Sequence, residues 1–186
     1  STYKKGTDFS IYMDTDGLIH AGSGLDQVTW MDVRVGDWVA TPRHGKPVEI
    51  NALWYNALCT MDMLQAKFGD NDDSYRQLAS LVKASFNKRF WNENTGCLYD
   101  VVDEDDDTIR PNQIYAVSLP FTMLDKEREK AIVDTVMDKL YVGCGLRSLD
   151  PDHKDYHPIY IGSLSKRDHA YHQGTAWGFL LGGFIS

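Results

Sequence analysis

Between Pro47 and Phe68 the apolar residues Ile50, Leu53, Ala57, Met61, Leu64 and Phe68 recur at three- and four-residue steps, the stripe of an amphipathic helix. Pro47 stands where a first helical turn tolerates proline, and Gly69 closes the segment. A second stripe, Tyr75, Leu78, Val82, Phe86 and Phe90, predicts another helix from about Asp73 to Phe90. Joined by so short a link, the two must pair as an antiparallel hairpin of helices. Whatever else the chain forms has to pack around that hairpin.

More helix is expected downstream. Arg110-Pro111 opens a third helix through Ile114, Val117 and Phe121, interrupted by Pro120. Asp125 caps a fourth, with Ile132, Val136 and Leu140 facing inward. A last apolar helix begins near Gly174 and reaches Ser186 without a cap or polar tail, so the chain reads as a fragment. The recurring helix–loop–helix rhythm is that of toroids of helical hairpins, an all-α fold. The exceptions are short. FSIYMD and LIHAG flank the tight-turn signal Asp14-Thr15-Asp16-Gly17. Cys97–Val102 follows the Thr95-Gly96 turn as a short strand, Asp103–Asp107 reads as a solvated acidic loop, and residues 141–172 are loop-rich.

A net charge of −8 and a pI near 5.1 leave no basic patch for nucleic acid. No apolar run approaches the ~20 residues of a membrane span, and the polar start STYKKGTDFS shows no signal peptide. Cys59, Cys97 and Cys144 are odd in number and widely spaced, as free thiols of a reducing compartment would be, which makes the cytoplasm the expected location.

Chemistry concentrates in Thr29–Asn56, which holds Trp30, Trp38 and Trp54, the acids Asp32 and Asp37, and Arg43 beside a proline turn. It ends in a helix whose first turn carries Glu49 and Asn51. Rings that stack on a sugar and a carboxyl that protonates it are what a glycoside-cleaving site requires. Asp32 is the candidate acid, because Trp30 and Met31 give it apolar neighbours of the kind that raise a carboxyl pKa. A turn-capping Asp and a dipole-complementing Glu49 are the plainer readings of the same residues. Arg43, Arg110 and Arg147 either hold sugar hydroxyls or pair with the surplus acids.

Metal readings fare worse. Asp14 and Asp16 open like a calcium loop, but its fifth and twelfth positions fall on Leu18 and Leu25, which offer no oxygen ligand. His153, His157, His169 and His172 could supply a zinc site, yet HExxH is missing and loop packing is favoured, so no metal or other cofactor is expected. The glycine pairs Gly22/Gly24 and Gly143/Gly145 lack the strand-then-helix setting of a dinucleotide site.

TWMD, TPRHGKPVEINALWYNAL, RPNQ, GLRSLDPDHKDYHPIY and YHQGTAWGFLLGGF together resemble the C-terminal amylo-α-1,6-glucosidase domain of glycogen debranching enzymes, over nearly the whole chain. The resemblance implies an (α/α)6 toroid, present here as part of one domain without its first helices or its C-terminal portion. It implies removal of the single α-1,6-linked glucose at glycogen branch points by inversion, with Asp32 as general acid. The base would be a Glu past Ser186, so the chain alone would be inactive. Trp30, Arg43, Glu49, Asn51, Asn112, Gln113, His172, Gln173 and Trp177 would line the pocket. Uncovered hairpin faces would pair two copies as a homodimer, with residues 174–186 in the contact. A related α-glucosidase or trehalase, or a non-catalytic α-glucan-binding module, are the alternatives.

Overall fold

The computed structural model describes residues 2–69 and 72–186. One helical turn, α1 (Thr2–Lys5), precedes the hairpin expected at Asp14–Gly17, in which β1 (Tyr12–Met13) pairs antiparallel with β2 (Ile19–His20). Gly17 supplies the left-handed φ of 82° that the turn requires. A second hairpin, β3 (Arg34–Val35) and β4 (Trp38–Val39), turns at Gly36-Asp37. β5 (Lys46–Pro47) then runs directly into α2 (Val48–Phe68), which ends on Gly69 at φ 80° with its N–H bonded to the Gln65 carbonyl.

Helix α3 (Ser74–Arg89) packs along α2, as its stripe predicts. β6 (Trp91–Asn92) and β7 (Cys97–Leu98) form a hairpin over Thr95-Gly96, and β8 (Val101–Val102) pairs with β5. That long-range pairing carries Asp100 to the start of α2, where its carbonyl accepts the Val48 N–H at 3.0 Å. A 3-10 turn (Pro111–Ile114) leads into α4 (Tyr115–Ser118), followed by α5 (Lys126–Lys139). The chain closes with β9 (Leu146–Arg147), α6 (Leu164–Tyr171), β10 (Ala176–Trp177), which pairs with β9, and α7 (Leu181–Ile185).

The described residues thus hold five two-stranded sheets among the helices, and the fold is mixed rather than an all-α (α/α)6 toroid. Helical periodicity persists long enough for a multi-turn amphipathic helix at α2, α3 and α5, and glycine-punctuated turns take most of the remainder. The expected third helix stops at Ser118, because Leu119 precedes Pro120 and is driven to extended geometry, ψ 155°. The expected helix over 174–186 shrinks to α7. Gly174 at φ 147° passes so close to the His157 carbonyl that an added Cβ would sit 2.6 Å from it, and Ala176-Trp177 is spent on the β9 ladder.

The core is one cluster in which Val82 and Phe86 of α3, Ile132 and Val136 of α5, and Phe90, Ile114, Leu140 and Leu146 are fully buried. Each such side chain contributes about 1.5–3 kcal/mol by leaving water. Asp125 caps α5 as expected, accepting the Arg128 N–H at 2.9 Å. The stripe assigned to α2 needs correcting. The buried face is Val48, Ala52, Tyr55 and Leu58, with Glu49 and Asn51 beside it, whereas Leu53, Met61 and Phe68 are exposed, Phe68 at 77%. Apolar residues occupy two faces of α2, and the polar pair Glu49 and Asn51 marks the inner one.

The Asp14–Asp16 turn does bind a cation, the protein's own. Lys46 is buried with Nζ 2.8 Å from Asp14, 2.9 Å from Asp16 and 3.4 Å from Asp103, and Arg89 joins Asp16 and Asp103. The hydrogen bond from Lys46 is the main cause holding the Asp14 carboxyl below its ordinary value. Asp103 is therefore part of an ion cluster and not of a freely solvated loop.

Candidate active site

Strand β8, the start of α2 and the Arg110-Pro111 turn converge, and their polar side chains meet out of water. Arg43 spends all of its donors there. Nε reaches Asp100 Oδ2 at 2.6 Å; Nη1 reaches Thr29 Oγ1 at 3.1 Å and Glu49 Oε1 at 2.5 Å; Nη2 reaches Glu49 Oε2 at 2.7 Å and the Asp100 carbonyl at 3.4 Å. Burial opposes the charge on Arg43, but Asp100 and Glu49 more than restore it and leave its pKa above the usual value. Burial pushes the Glu49 carboxyl upward, against the pull of Arg43. The bidentate geometry is that of a guanidinium–carboxylate pair.

Asp100 is the hub. Its Oδ1 accepts from Asn112 Nδ2 at 2.8 Å, and its Oδ2 lies 3.8 Å from Arg110 Nε. Asn112 in turn accepts from Trp30 Nε1 at 2.8 Å, which fixes the indole. Arg110 donates from Nη1 to the carbonyls of Ser148 (3.0 Å) and His172 (2.7 Å), and from Nη2 to Gln173 Oε1 (2.8 Å). Burial lowers its pKa below the usual guanidinium value. Two guanidiniums, Arg43 and Arg110, and two carboxylates, Glu49 and Asp100, balance in charge.

Around Trp30 stand three rings in edge-to-face contact, His172 at 4.9 Å, Phe179 at 4.8 Å and Trp177 at 6.2 Å between centroids. His172 stacks on Trp177 at 5.2 Å, and Trp177 Nε1 donates to the Tyr171 carbonyl. His172 Nδ1 is buried without a hydrogen-bond partner. Burial first, then the charges of Arg110 and Arg43, push this imidazole down to about 4. The unfolded chain takes up the proton near pH 6.5, so stability is full above that pH and falls as pH drops from about 6.5 toward 4. The loss is expected to reach about 3 kcal/mol. Urea unfolding between pH 7 and 4.5 should show a shallower decline in His172→Gln than in the parent, and parallel curves would refute the assignment.

Asp32 lies buried in the turn before β3. Its Oδ2 accepts from the amides of Val28 (2.8 Å) and Thr29 (2.7 Å), while Oδ1 is buried and unpartnered. The turn-capping role is therefore real. With Oδ2 held by two donors, a proton on this carboxyl has to sit on Oδ1. Met31 buries its side chain toward Arg110 and Asn112, its sulfur 3.4 Å from Arg110 Nη1.

A family model described as Amylo-alpha-1,6-glucosidase matches residues 1–186. The chain belongs to that family. Within it, the chain is similar to the glycogen debranching enzyme of Saccharomyces cerevisiae (strain ATCC 204508 / S288c), 29% identical over 230 aligned residues that cover 97% of this chain and 15% of the yeast protein. The chain thus spans a small part of that relative. The aligned stretch is longer than the chain itself, so the yeast protein carries residues between the matched ends that this chain lacks.

The remaining expected site residues separate into two groups. Asn51, wholly buried, is spent on backbone: Oδ1 accepts the Ile19 N–H at 2.7 Å, and Nδ2 donates to the carbonyls of Ile19 and Pro47. Gln113 likewise accepts from Leu98 N and donates to the Arg110 carbonyl. Trp30, Asn112, His172, Gln173 and Trp177 fall together around Arg110. Asp37 is solvent-exposed on its hairpin, 3.9 Å from Arg34, and Trp54 lies elsewhere, donating to the Gly17 carbonyl. Arg147 lies in β9, its backbone paired with Ala176 of β10. Among the described residues, no group of three or more His, Cys, Asp or Glu is arranged to hold a metal.

Sequence reasoning missed Asp100 and Thr29. The signal for Asp100 was present, since an ionised side chain between Tyr99 and Val101-Val102 in an apolar strand has to find a buried partner.

Proposed function

We propose that this chain is the acid-bearing part of a glycosidase that removes α-1,6-linked glucose from glycogen or a similar branched α-glucan with inversion. The observation that carries the reading is Asp32, a buried carboxyl two residues from an anchored tryptophan, with one oxygen held by two amides and the other free of protein partners. Family membership supports a glycoside hydrolase, and the rings around Trp30 supply apolar faces suited to sugar C–H surfaces. In this reading Arg43, Glu49, Asn51, Asn112 and Gln113 hold the frame of the pocket, while Trp30, His172, Gln173 and Trp177 stand nearer the sugar. Glu49 and Asp100 are committed to Arg43, so the water-activating carboxylate is a different one. We place it outside these residues and expect the chain alone to release no glucose.

The proposed setting is cytoplasmic; Cys59, Cys97 and Cys144 are free thiols, and no helix of the described residues is long and apolar enough to cross a membrane. The exposed outer stripe of α2 supports a covered surface, by a second copy in the homodimer reading.

The test is the product released from a branched limit dextrin by a polypeptide extended past Ser186, followed by proton NMR from the first seconds. β-Glucose as the first anomer is expected. α-Glucose would overturn inversion. Glucose from maltose or trehalose but not from limit dextrin would favour the related glucosidases, and binding without release would favour a lectin-like module.

A further inference from the structure

Beside Gln173 a cavity of about 270 Å³ is lined by Trp38, Ala40, Asp155, His157, His169 and Gln173. It is chemically unlike the guanidinium–carboxylate cluster. The β3–β4 hairpin presents an exposed indole here, Trp38, with one face stacked on His169 at 4.2 Å and 26°. The rings of His157 and His169 lie 6.0 Å apart. In each, Nδ1 sits 2.7 Å from a backbone carbonyl oxygen, that of Asp155 for His157 and that of Ser165 for His169. A carbonyl can only accept, so each Nδ1 carries the hydrogen, and in the neutral form of either ring the other nitrogen, Nε2, is the acceptor.

A flat indole flanked by two nitrogen acceptors and a carboxylate suits a pyranose. The C–H face of the sugar packs on the ring, and its hydroxyls donate to the acceptors. The volume admits one pyranose ring rather than several. Gln173 ties the cavity to the candidate active site, because its Nε2 donates to the Ala40 carbonyl at 3.2 Å while its Oε1 accepts from Arg110. Arg110 holds the carbonyl of His172, the ring packed on Trp30.

We propose that this cavity is a second sugar subsite, taking a glucosyl unit of the α-glucan other than the one released. The inference rests on the glucan reading above and adds to it a binding wall made by Trp38, His157 and His169.

The experiment is a maltotriose titration of this chain, followed by NMR of the indole N–H groups and the imidazole rings, with Trp38→Ala and His169→Gln alongside. Signals of Trp38, His157 and His169 are expected to move, and either variant should weaken maltotriose binding about tenfold. The Trp30 signal, unchanged in the free variants, reports that they fold. Movement at Trp30 with none at Trp38 or His169 would overturn the subsite and leave the glucan reading standing. No response anywhere would overturn the reading on which it rests. Zinc moving the imidazoles at stoichiometric concentration, with maltotriose silent, would assign the cavity to a metal instead and overturn the proposal.

Discussion

Replacing Arg43 with methionine is expected to destabilise the fold by about 3–5 kcal/mol, the cost of leaving buried charge without its partner. All five guanidinium donors are in use, and the two carboxylates they serve are buried. Without Arg43, Glu49 loses both of its bidentate bonds. Asp100 keeps Asn112 and the Arg110 nitrogen 3.8 Å away, so its loss is smaller. A domain of this kind holds only about 5–15 kcal/mol in total, and the melting temperature should fall by roughly 6–20 °C. Removing the stranded charge as well, in Arg43→Met/Glu49→Met, should recover part of the loss, because the two positions share one interaction. Calorimetry of the single and double variants checks both statements. A single variant within 1 kcal/mol of the parent would mean that the cluster is solvated in solution.

The cluster also positions Trp30. The β5–β8 pairing sets Asp100 against the first turn of α2, and Asp100 fixes Asn112, which fixes Trp30. Aromatic geometry at the candidate site is thereby coupled to a buried electrostatic frame. Substitutions in the frame should act on sugar binding through the tilt of Trp30.

Periodicity was legible where one face is apolar and the other polar. The α3 stripe, the α5 stripe with its Asp125 cap, and the Asp-Thr-Asp-Gly hairpin all appear as expected. It misled where two faces are apolar. In α2 the run Leu53, Met61, Phe68 looks like a core stripe, and only the burial of Glu49 and Asn51 reveals that the core lies on the adjoining face. The toroid expectation failed for a related reason. Segments such as Arg110–Phe121 and 174–186 carry helical composition, but Pro120 and Gly174 impose backbone angles that end helices. Long-range strand pairs then take over residues that no local pattern assigns, as at Ala176-Trp177. Of the site, the grouping of Trp30, His172 and Trp177 was readable through resemblance. Asp100, its organising residue, was not singled out, since its partners lie 57 residues before it and 12 after it in the chain.

The larger functional effect is expected at Asp32. Asparagine is nearly isosteric, and its Oδ1 can accept from the Val28 and Thr29 amides as the native Oδ2 does. The remaining amide group takes the place of the unpartnered oxygen, at a cost of about 1 kcal/mol. The fold should therefore survive, while the proton that the leaving oxygen requires is gone. Loss of a general acid typically removes 10²–10⁴-fold of rate. The decisive measurement is glucose release from a branched limit dextrin by the extended polypeptide and its Asp32→Asn variant, with maltotriose affinity measured on both. The account predicts turnover reduced by at least about 10²-fold at unchanged affinity. Turnover within a few-fold of the parent would show that Asp32 only caps its turn and that the acid is another residue.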